Sequence, residues 1–285
     1  MKITPIEAGN FKLDGGAMFG VVPKSIWSRT YPVDSNNMIT MAARCLLVED
    51  GDRLTLIDTG MGNKQDSKFF GYYFMDGKFD LDSSLKTAGY HRDDITDVFL
   101  THLHFDHCGG AINREGEGYV PAFAKARFHS NQDHWNWATK PNAREKASFL
   151  SENILPIHES GQLNFIPTPT TQDELIDTGL GFKTQFVDGH TDKMMIPHIT
   201  IGERTFVYCA DLLPTASHCP IAWVMGYDTR PLLTLDEKTR FLDNAATHNW
   251  HLILEHDAHD EVITVKHTDR GVRVDQKMRF SDFTF

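Results

Sequence analysis

The sequence has few cysteines, an excess of acidic over basic residues and no long apolar run, and each of these shortages excludes a class of protein. Its four cysteines form no CxxC pair, which argues against a disulfide framework and a zinc ribbon and favours reduced thiols. The formal net charge is -11, whereas binding to nucleic acid needs clustered Lys and Arg. Nowhere do about 18 apolar residues stand together, so we expect no membrane span. We therefore expect a small-molecule partner rather than nucleic acid or a membrane.

The chain also lacks a linker that would divide it. No low-complexity tract or Pro/Gly/Ser-rich stretch interrupts its 285 residues, and apolar segments recur in both halves. One domain spanning 1–285 is therefore expected. The N-terminal residues MKITPIEAGNFKLDGG contain no basic segment followed by an apolar run, and we expect a cytoplasmic protein. The sequence leaves the oligomeric state open, with a homodimer as one alternative.

What the sequence does contain is a series of apolar runs that each stop at a polar, metal-capable residue. Residues 53–62, RLTLIDTGMG, predict a buried strand that runs into a Gly-rich turn, and residues 98–101, VFLT, predict a second strand. Between them, residues 83–94 predict a helix closed by Gly89. Strands and helices in this arrangement predict a layered α/β fold, in which residues beyond strand ends converge on one site. The residues at such ends are Asp58, His102, His190, Asp211 and His256.

The densest group of metal-capable residues is THLHFDHCGG, residues 101–110. Neutral imidazole nitrogen and carboxylate oxygen suit zinc and other divalent transition metals. An HxHxDH loop can direct some of its side chains toward one metal ion and the rest toward a second. His102 and His104 could serve one ion, while Asp106 and His107 serve another. Each ion then needs a third histidine, and a carboxylate between the ions would hold both close together. The candidates for these places are His190, Asp211 and His256.

Five short motifs, spread over nearly the whole chain, resemble those of the metallo-β-lactamase superfamily in that family's order: LIDTGMG, THLHFDH, DGHT, CAD and EHDAH. The resemblance implies an α/β fold, a four-layer αββα sandwich with a dinuclear site at one edge of its two sheets. It also implies a role for each candidate. These roles are His102, His104 and His190 on the first ion, Asp106, His107 and His256 on the second, Asp211 as the bridging carboxylate, and Asp58 as an orienting group behind the ligands.

The resemblance favours a hydrolase with two divalent metal ions, expected to be Zn²⁺, as cofactors. A water that bridges two cations loses its proton near neutral pH, because the cations stabilise hydroxide, and the site needs no serine or cysteine nucleophile. Asp106 is placed to orient that hydroxide and then to pass a proton to the leaving oxygen. Residues 13–27 resemble lactonase-like and organophosphate-hydrolase-like branches, which favours a lactone, an ester or a related small molecule as substrate.

Departures from the family's motifs keep other functions open. The third motif commonly runs GHTPGH, but here it is GHTDKMMIPH, so His198 has no secure counterpart, and His259 could compete with His256. Lactonases commonly carry a tyrosine three residues after the bridging aspartate, where this chain has Pro214. The main alternative is an iron-dependent oxidoreductase of the same superfamily. The acidic charge disfavours a nuclease, which would need a basic groove. A zinc β-lactamase is disfavoured because such enzymes lack a bridging aspartate like Asp211. An inactive binding module would be expected to have lost ligands, and none is missing.

Two segments without the strand pattern, 62–80 and 131–175, are rich in aromatic and polar residues and are expected to be insertions that shape the pocket. Histidines without ligand spacing, among them His129 and His134, are expected to be surface residues or hydrogen-bonded core residues. Aromatic side chains could line an apolar substrate pocket. The candidates are Phe19, Trp27, Phe69, Phe70, Tyr72, Tyr73, Trp135 and Trp137.

Overall fold

A computed structural model describes residues 1–75 and 80–285, so residues 76–79 of the expected insertion 62–80 lie outside the described residues. The strands of the described part, in chain order, are β1 (Lys2–Asp14), β2 (Met38–Asp50), β3 (Arg53–Ile57), β4 (Asp97–Phe99), β5 (Ile112–Glu115), β6 (Gly118–Pro121), β7 (Arg127–Ser130), β8 (Leu163–Phe165), β9 (Ile176–Asp177), β10 (Lys183–Val187), β11 (Met194–Ile201), β12 (Arg204–Tyr208), β13 (His251–Ile253), β14 (Val262–Thr268) and β15 (Gly271–Met278). Its α-helices are α1 (Gly15–Phe19), α2 (Lys24–Trp27), α3 (Ser67–Tyr72), α4 (Leu81–Thr87), α5 (Phe105–Cys108), α6 (Gln132–Thr139), α7 (Ser151–Glu159) and α8 (Pro231–His248).

Most of these strands form two mixed sheets. The first sheet has the order β1-β2-β3-β4-β7-β8, with antiparallel pairing from β1 to β3 and parallel pairing from β3 to β8. The second has the order β15-β14-β13-β12-β11-β10-β9, in which β12 and β13 pair in parallel. A separate hairpin contains β5 and β6.

Alternating side chains of β2 show how the layers are stacked. Leu46 and Val48 point into the core that is shared with the second sheet, whereas Cys45 and Leu47 point into a core that includes α4 and α7. On the far side, α8 packs against β14 and buries Phe241. The layers therefore run helices, sheet, sheet, helix, which confirms the predicted αββα sandwich.

The predicted elements before the HxHxDH loop are present with different bounds. The strand expected to run into a Gly-rich turn within 53–62 is β3, which ends at Ile57, where its apolar run also ends. The strand expected at 98–101 is β4, which ends at Phe99, before its apolar run does. The helix expected at 83–94 is shorter, because α4 stops before Gly89. That glycine adopts a left-handed conformation (φ 91°), which ends the helix as its position predicts.

All four cysteines are buried and free of disulfide bonds, in agreement with their spacing. The thiol of Cys108, which follows a predicted ligand, donates to the carbonyl oxygen of Leu103 (3.3 Å). Cys108 is thus a small core residue that has its own backbone partner.

Among the helices that the structure describes, none is long and apolar enough to span a bilayer.

Candidate metal centre

The predicted ligands lie at the edge where strands of both sheets end. In β4, β10, β12 and β13, the ligand follows three positions after the last strand residue. This repeated spacing lets the chain leave the sheet before the ligand, so side chains from both sheets can face one another. These four ligands are His102, His190, Asp211 and His256. The other three, in the loop and first turn of α5, are His104, Asp106 and His107.

The first group of donor atoms contains three buried histidines. Nε2 of His102 and Nε2 of His190 lie 3.1 Å and 3.2 Å from Nδ1 of His104. Oδ2 of Asp211 lies 3.0 Å from Nε2 of His190 and 3.8 Å from Nε2 of His102. One ligand atom from each of these four residues therefore lies within 4.8 Å of the others.

The second group contains Asp106, His107 and His256. Nε2 of His256 lies 3.2 Å from Nε2 of His107, and Oδ2 of Asp106 lies 3.9 Å and 3.8 Å from these two nitrogens. Asp211 stands between the groups, because its Oδ1 lies 3.0 Å from Nε2 of His256 while its Oδ2 faces His190. The structure thus brings all seven predicted ligands together in two groups that share Asp211.

The glycines that follow HxHxDH let its loop pack closely against the loop after β3. The backbones of the two loops hydrogen-bond to each other. A Cβ on Gly109 would lie 2.0 Å from the carbonyl oxygen of Met61, so the contact requires glycine. The pairing brings Asp58 behind His107.

Asp58, which the sequence predicts to orient a ligand, lies behind His107. Its Oδ2 accepts a hydrogen bond from Nδ1 of His107 (3.1 Å), which leaves Nε2 to face the second group. Thr101 holds Asp58 in turn through its backbone N–H (2.8 Å) and its hydroxyl (2.7 Å). A second buried carboxyl, that of Glu255, lies 3.1 Å from the same His107 nitrogen. The sequence analysis missed Glu255, although it directly precedes His256.

Two further carboxylates lie behind histidines of the first group, and the sequence analysis missed both. Asp228 is buried, and its Oδ1 lies 3.0 Å from Nδ1 of His190. Oε1 of Glu145 lies 3.6 Å from Nε2 of His104, which is too far for a hydrogen bond. Neither acid belongs to a motif, so no local spacing pointed to it.

These buried carboxylates make the site favourable for positive charge. Burial lowers the pKa of His190, but Asp211 and Asp228 outweigh burial and raise that pKa to about 10. Burial also opposes protonation of His256, yet Asp211 raises its pKa to about 9. Burial raises the pKa of the Asp211 carboxyl, but His190, His256 and His107 hold it well below its usual range. Burial lowers the pKa of His102 and His104, so the carboxylates favour positive charge mainly beside His190 and His256.

A cavity of about 350 Å³ opens onto both donor groups. The guanidinium of Arg144, which also lines it, donates to the carbonyl oxygens of Gly226 and Asp228. Tyr73 comes from segment 62–80 and Arg144 from segment 131–175, so both segments contribute to the lining. The apolar and aromatic side chains of the lining are Leu13, Met18, Tyr73, Phe105, Met225 and Tyr227.

The aromatic lining agrees with the predicted one only in part. Of the eight aromatic candidates, all of them described residues, Tyr73 lines this cavity, whereas the other seven, including Phe19, Trp27, Phe69 and Trp135, do not. Phe19 is fully buried, and its ring stacks on that of Trp27 at 4.9 Å. The ring of Phe69 packs against that of Tyr73, with 5.0 Å between the ring centroids. Trp135 is a core residue. Aromatic residues are found both in protein cores and in the walls of cavities, so aromatic content alone could not distinguish the two.

Two histidines whose role the sequence left open lie away from the donor groups. The ring of His259 packs against Tyr31 at 5.2 Å. His198 lies in β11, where its ring meets that of Trp250 at 4.8 Å. Neither belongs to a donor group formed by residues 1–75 and 80–285.

Comparisons with known proteins agree with this architecture. No curated protein matches the chain. A probable metal-dependent hydrolase from Staphylococcus aureus is 29% identical to it, with a TM-score of 0.86 over 97% of this chain and 96% of that one. AidC, a dizinc quorum-quenching lactonase in complex with a product, N-hexanoyl-L-homoserine, is 21% identical, with a TM-score of 0.76 over 98% and 95%. A B. thuringiensis AiiA mutant with N-decanoyl-L-homoserine bound at its active site is 19% identical, with a TM-score of 0.69 over 90% and 93%.

The likenesses to AidC and to the AiiA mutant, at 21% and 19% identity, show the fold alone. The family model described as the metallo-beta-lactamase superfamily matches residues 40–242, which is most of the chain. That match includes the HxHxDH loop and the strand ends that carry His190 and Asp211. The chain belongs to the metallo-beta-lactamase superfamily.

Proposed function

We propose that this chain is a hydrolase that uses two divalent metal ions. The observation that carries the proposal is the position of Asp211, whose two oxygens each lie 3.0 Å from a histidine nitrogen of a different donor group. The partner is His190 in the first group and His256 in the second. Two-metal hydrolytic sites hold their ions roughly 3.5–4 Å apart, and one carboxylate between two donor groups suits that separation.

The donor set fits zinc. Each group offers imidazole nitrogen and carboxylate oxygen, which Zn²⁺ and similar ions prefer. Oδ1 of Asp211 is buried and forms no well-aligned hydrogen bond with a described residue, although Nε2 of His256 lies only 3.0 Å away, so a cation between the two atoms would satisfy both. The residues that would hold the ions are His102, His104 and His190 for the first, Asp106, His107 and His256 for the second, and Asp211 for both.

Divalent ions bound here supply Lewis acidity, because they lower the pKa of water toward neutrality and polarise a carbonyl or phosphoryl oxygen. The protein itself supplies orientation and proton transfer. Asp106 is partly exposed and lines the cavity, so its carboxylate can accept a proton from the attacking water and return it to the leaving oxygen. Asp58 and Asp228 hold His107 and His190 from behind.

We infer that the substrate is a small lactone, ester or related molecule. A volume of about 350 Å³ is at the small end of ligand pockets. Met18, Phe105 and Met225 offer apolar surface that suits an acyl chain or a small ring. AidC, a protein of the same fold, is a lactonase with an acyl-homoserine product bound, which supports lactones as the first substrates to try.

Turnover by zinc-reconstituted protein tests this function. Protein stripped of metal and reloaded with zinc alone should hydrolyse members of a panel of lactones, aryl esters, phosphotriesters and β-lactams. It should do so without oxygen or reductant, because d¹⁰ zinc has no redox chemistry. The metal-free protein is the control and should be inactive. Turnover that appears only with iron and oxygen would overturn the hydrolase in favour of an oxidoreductase.

A further inference from the structure

His134 connects the two loops that carry the first donor group, and the proposed function assigns it no part. Its imidazole is fully buried near the start of α6. Nε2 of His134 lies 2.9 Å from the backbone nitrogen of Leu103, the residue between the two first-group ligands of the HxHxDH loop. Nδ1 lies 2.5 Å from the carbonyl oxygen of Asp192, two residues after His190.

These two contacts determine the tautomer of His134. A backbone N–H can only donate, so Nε2 accepts from Leu103 and carries no proton. A carbonyl oxygen can only accept, so the proton is on Nδ1 and is donated to Asp192. The neutral imidazole therefore places an acceptor and a donor on opposite sides of one rigid ring. That ring spans the gap between the two loops.

Asn131 strengthens the same connection. Its side-chain nitrogen donates to the carbonyl oxygen of Lys193 (2.9 Å), and its Oδ1 accepts from the backbone N–H of His134 (2.8 Å). Lys193 has a left-handed backbone conformation (φ 52°), and the chain enters β11 directly after it. The start of α6 therefore binds the loop after His190 at two successive carbonyl oxygens.

We propose that His134 is a positioning residue, which sets the spacing between the HxHxDH loop and the loop of His190 and thereby the geometry of the first donor group. This inference rests on the proposed dinuclear site. His134 contacts the backbone of both loops and bonds to none of the ligand nitrogens, so it acts on the distance between ligands rather than on any one of them.

The second donor group should depend on His134 much less. Nδ1 of His107 is held by Asp58, and Nδ1 of His256 donates to the carbonyl oxygen of Ala42 (2.8 Å). None of these bonds involves His134. Loss of His134 should therefore weaken binding of the first ion selectively, whereas general destabilisation would affect both ions.

Two variants remove the contacts of His134 one at a time. His134→Asn keeps a donor near the position of Nδ1 and loses the acceptor for Leu103, whereas His134→Gln places an oxygen near Nε2 and loses the donor to Asp192. Stepwise competition between a chelator and the zinc-loaded protein measures the affinity for each of the two ions. The variants His190→Ala and His256→Ala each remove one ligand and thereby show which step belongs to which donor group. We expect each His134 variant to weaken the first ion about 10- to 100-fold and the second by less than about threefold.

His129→Gln is the matched control. His129 is also buried, and its two ring nitrogens have their hydrogen-bond partners outside the two loops, with Nε2 2.7 Å from Oδ1 of Asp97 and Nδ1 3.0 Å from Nδ2 of Asn164. It should lower the melting temperature and leave both affinities unchanged. The inference is overturned if the His134 variants bind both ions like the wild type, or if they lose both ions equally.

Measurements on the wild type separate this inference from the proposed function. A wild type that binds fewer than two ions would refute the dinuclear site, and this inference with it. If two ions bind, ¹⁵N spectra of the imidazoles provide a test that needs no variant. We expect an unprotonated Nε2 in His134 of the zinc-loaded protein. A proton on Nε2 would contradict the connection to Leu103 even if the variants did not fold.

Discussion

Replacing Asp228 with asparagine should weaken binding of the first metal ion. Oδ1 of Asp228 lies 3.0 Å from Nδ1 of His190, and its buried Oδ2 has no hydrogen-bond partner in the described part of the chain. The amide keeps an acceptor but removes the charge that makes His190 a better ligand. Loss of such a carboxylate typically weakens metal binding about 10- to 100-fold, or roughly 1.4–2.8 kcal/mol. The buried, unpaired NH₂ group should also cost about 1–3 kcal/mol of folding free energy.

Asp97 offers a matched control for this change. Its Oδ1 lies 2.7 Å from Nε2 of His129, so it forms another buried histidine–carboxylate pair, but away from the donor groups. Asp97→Asn should lower the free energy of unfolding of the metal-free protein in urea without changing zinc affinity in chelator competition. The orienting role of Asp228 would be wrong if Asp228→Asn bound zinc like the wild type, or if Asp97→Asn lost as much affinity.

Three further substitutions test other parts of the account. Asp106→Asn should weaken the second ion and slow turnover about 10²–10⁴-fold, as loss of general acid–base catalysis does; a variant as fast as the wild type would refute that role. Gly109→Ala should lower the melting temperature and the zinc content, because its Cβ would lie 2.0 Å from the carbonyl oxygen of Met61; unchanged values would show that the loops can separate freely. Burial lowers the pKa of His198 from 6.5 to about 4, so the wild type loses stability as the pH falls below 6.5. His198→Leu should remove the part of this loss that comes from His198, about 2 kcal/mol at pH 5, and an unchanged pH dependence of urea unfolding would contradict that reasoning.

The residues that meet in the donor groups could be identified from the sequence because each one follows a recognisable signal. HxHxDH is a rare spacing, and His190, Asp211 and His256 each stand just beyond an apolar run that forms a strand. The same runs predicted a layered α/β fold, and the resemblance to the superfamily implied its αββα order. The end of the strand predicted at 98–101 was placed too late, because the apolar pattern continues into the buried residue Leu100 after β4 has ended.

Apart from Asp58, the residues behind the donors could not be predicted in this way. Asp228 is 38 positions from His190 and meets it only because the loop before α8 folds back over the site. Glu145 reaches His104 from an equally distant segment. No local spacing encodes such contacts, since they depend on tertiary packing. For the same reason Phe19, an apolar residue near the predicted pocket, proved to be a core residue stacked on Trp27.

Elemental analysis of the metal-replete protein tests the central claim most directly. Each of the two donor groups, which are joined by the two oxygens of Asp211, is proposed to bind one ion. We therefore expect elemental analysis to find two divalent transition-metal ions per chain, and we expect zinc to fill both positions. A full-occupancy value of one ion or none per chain would contradict it.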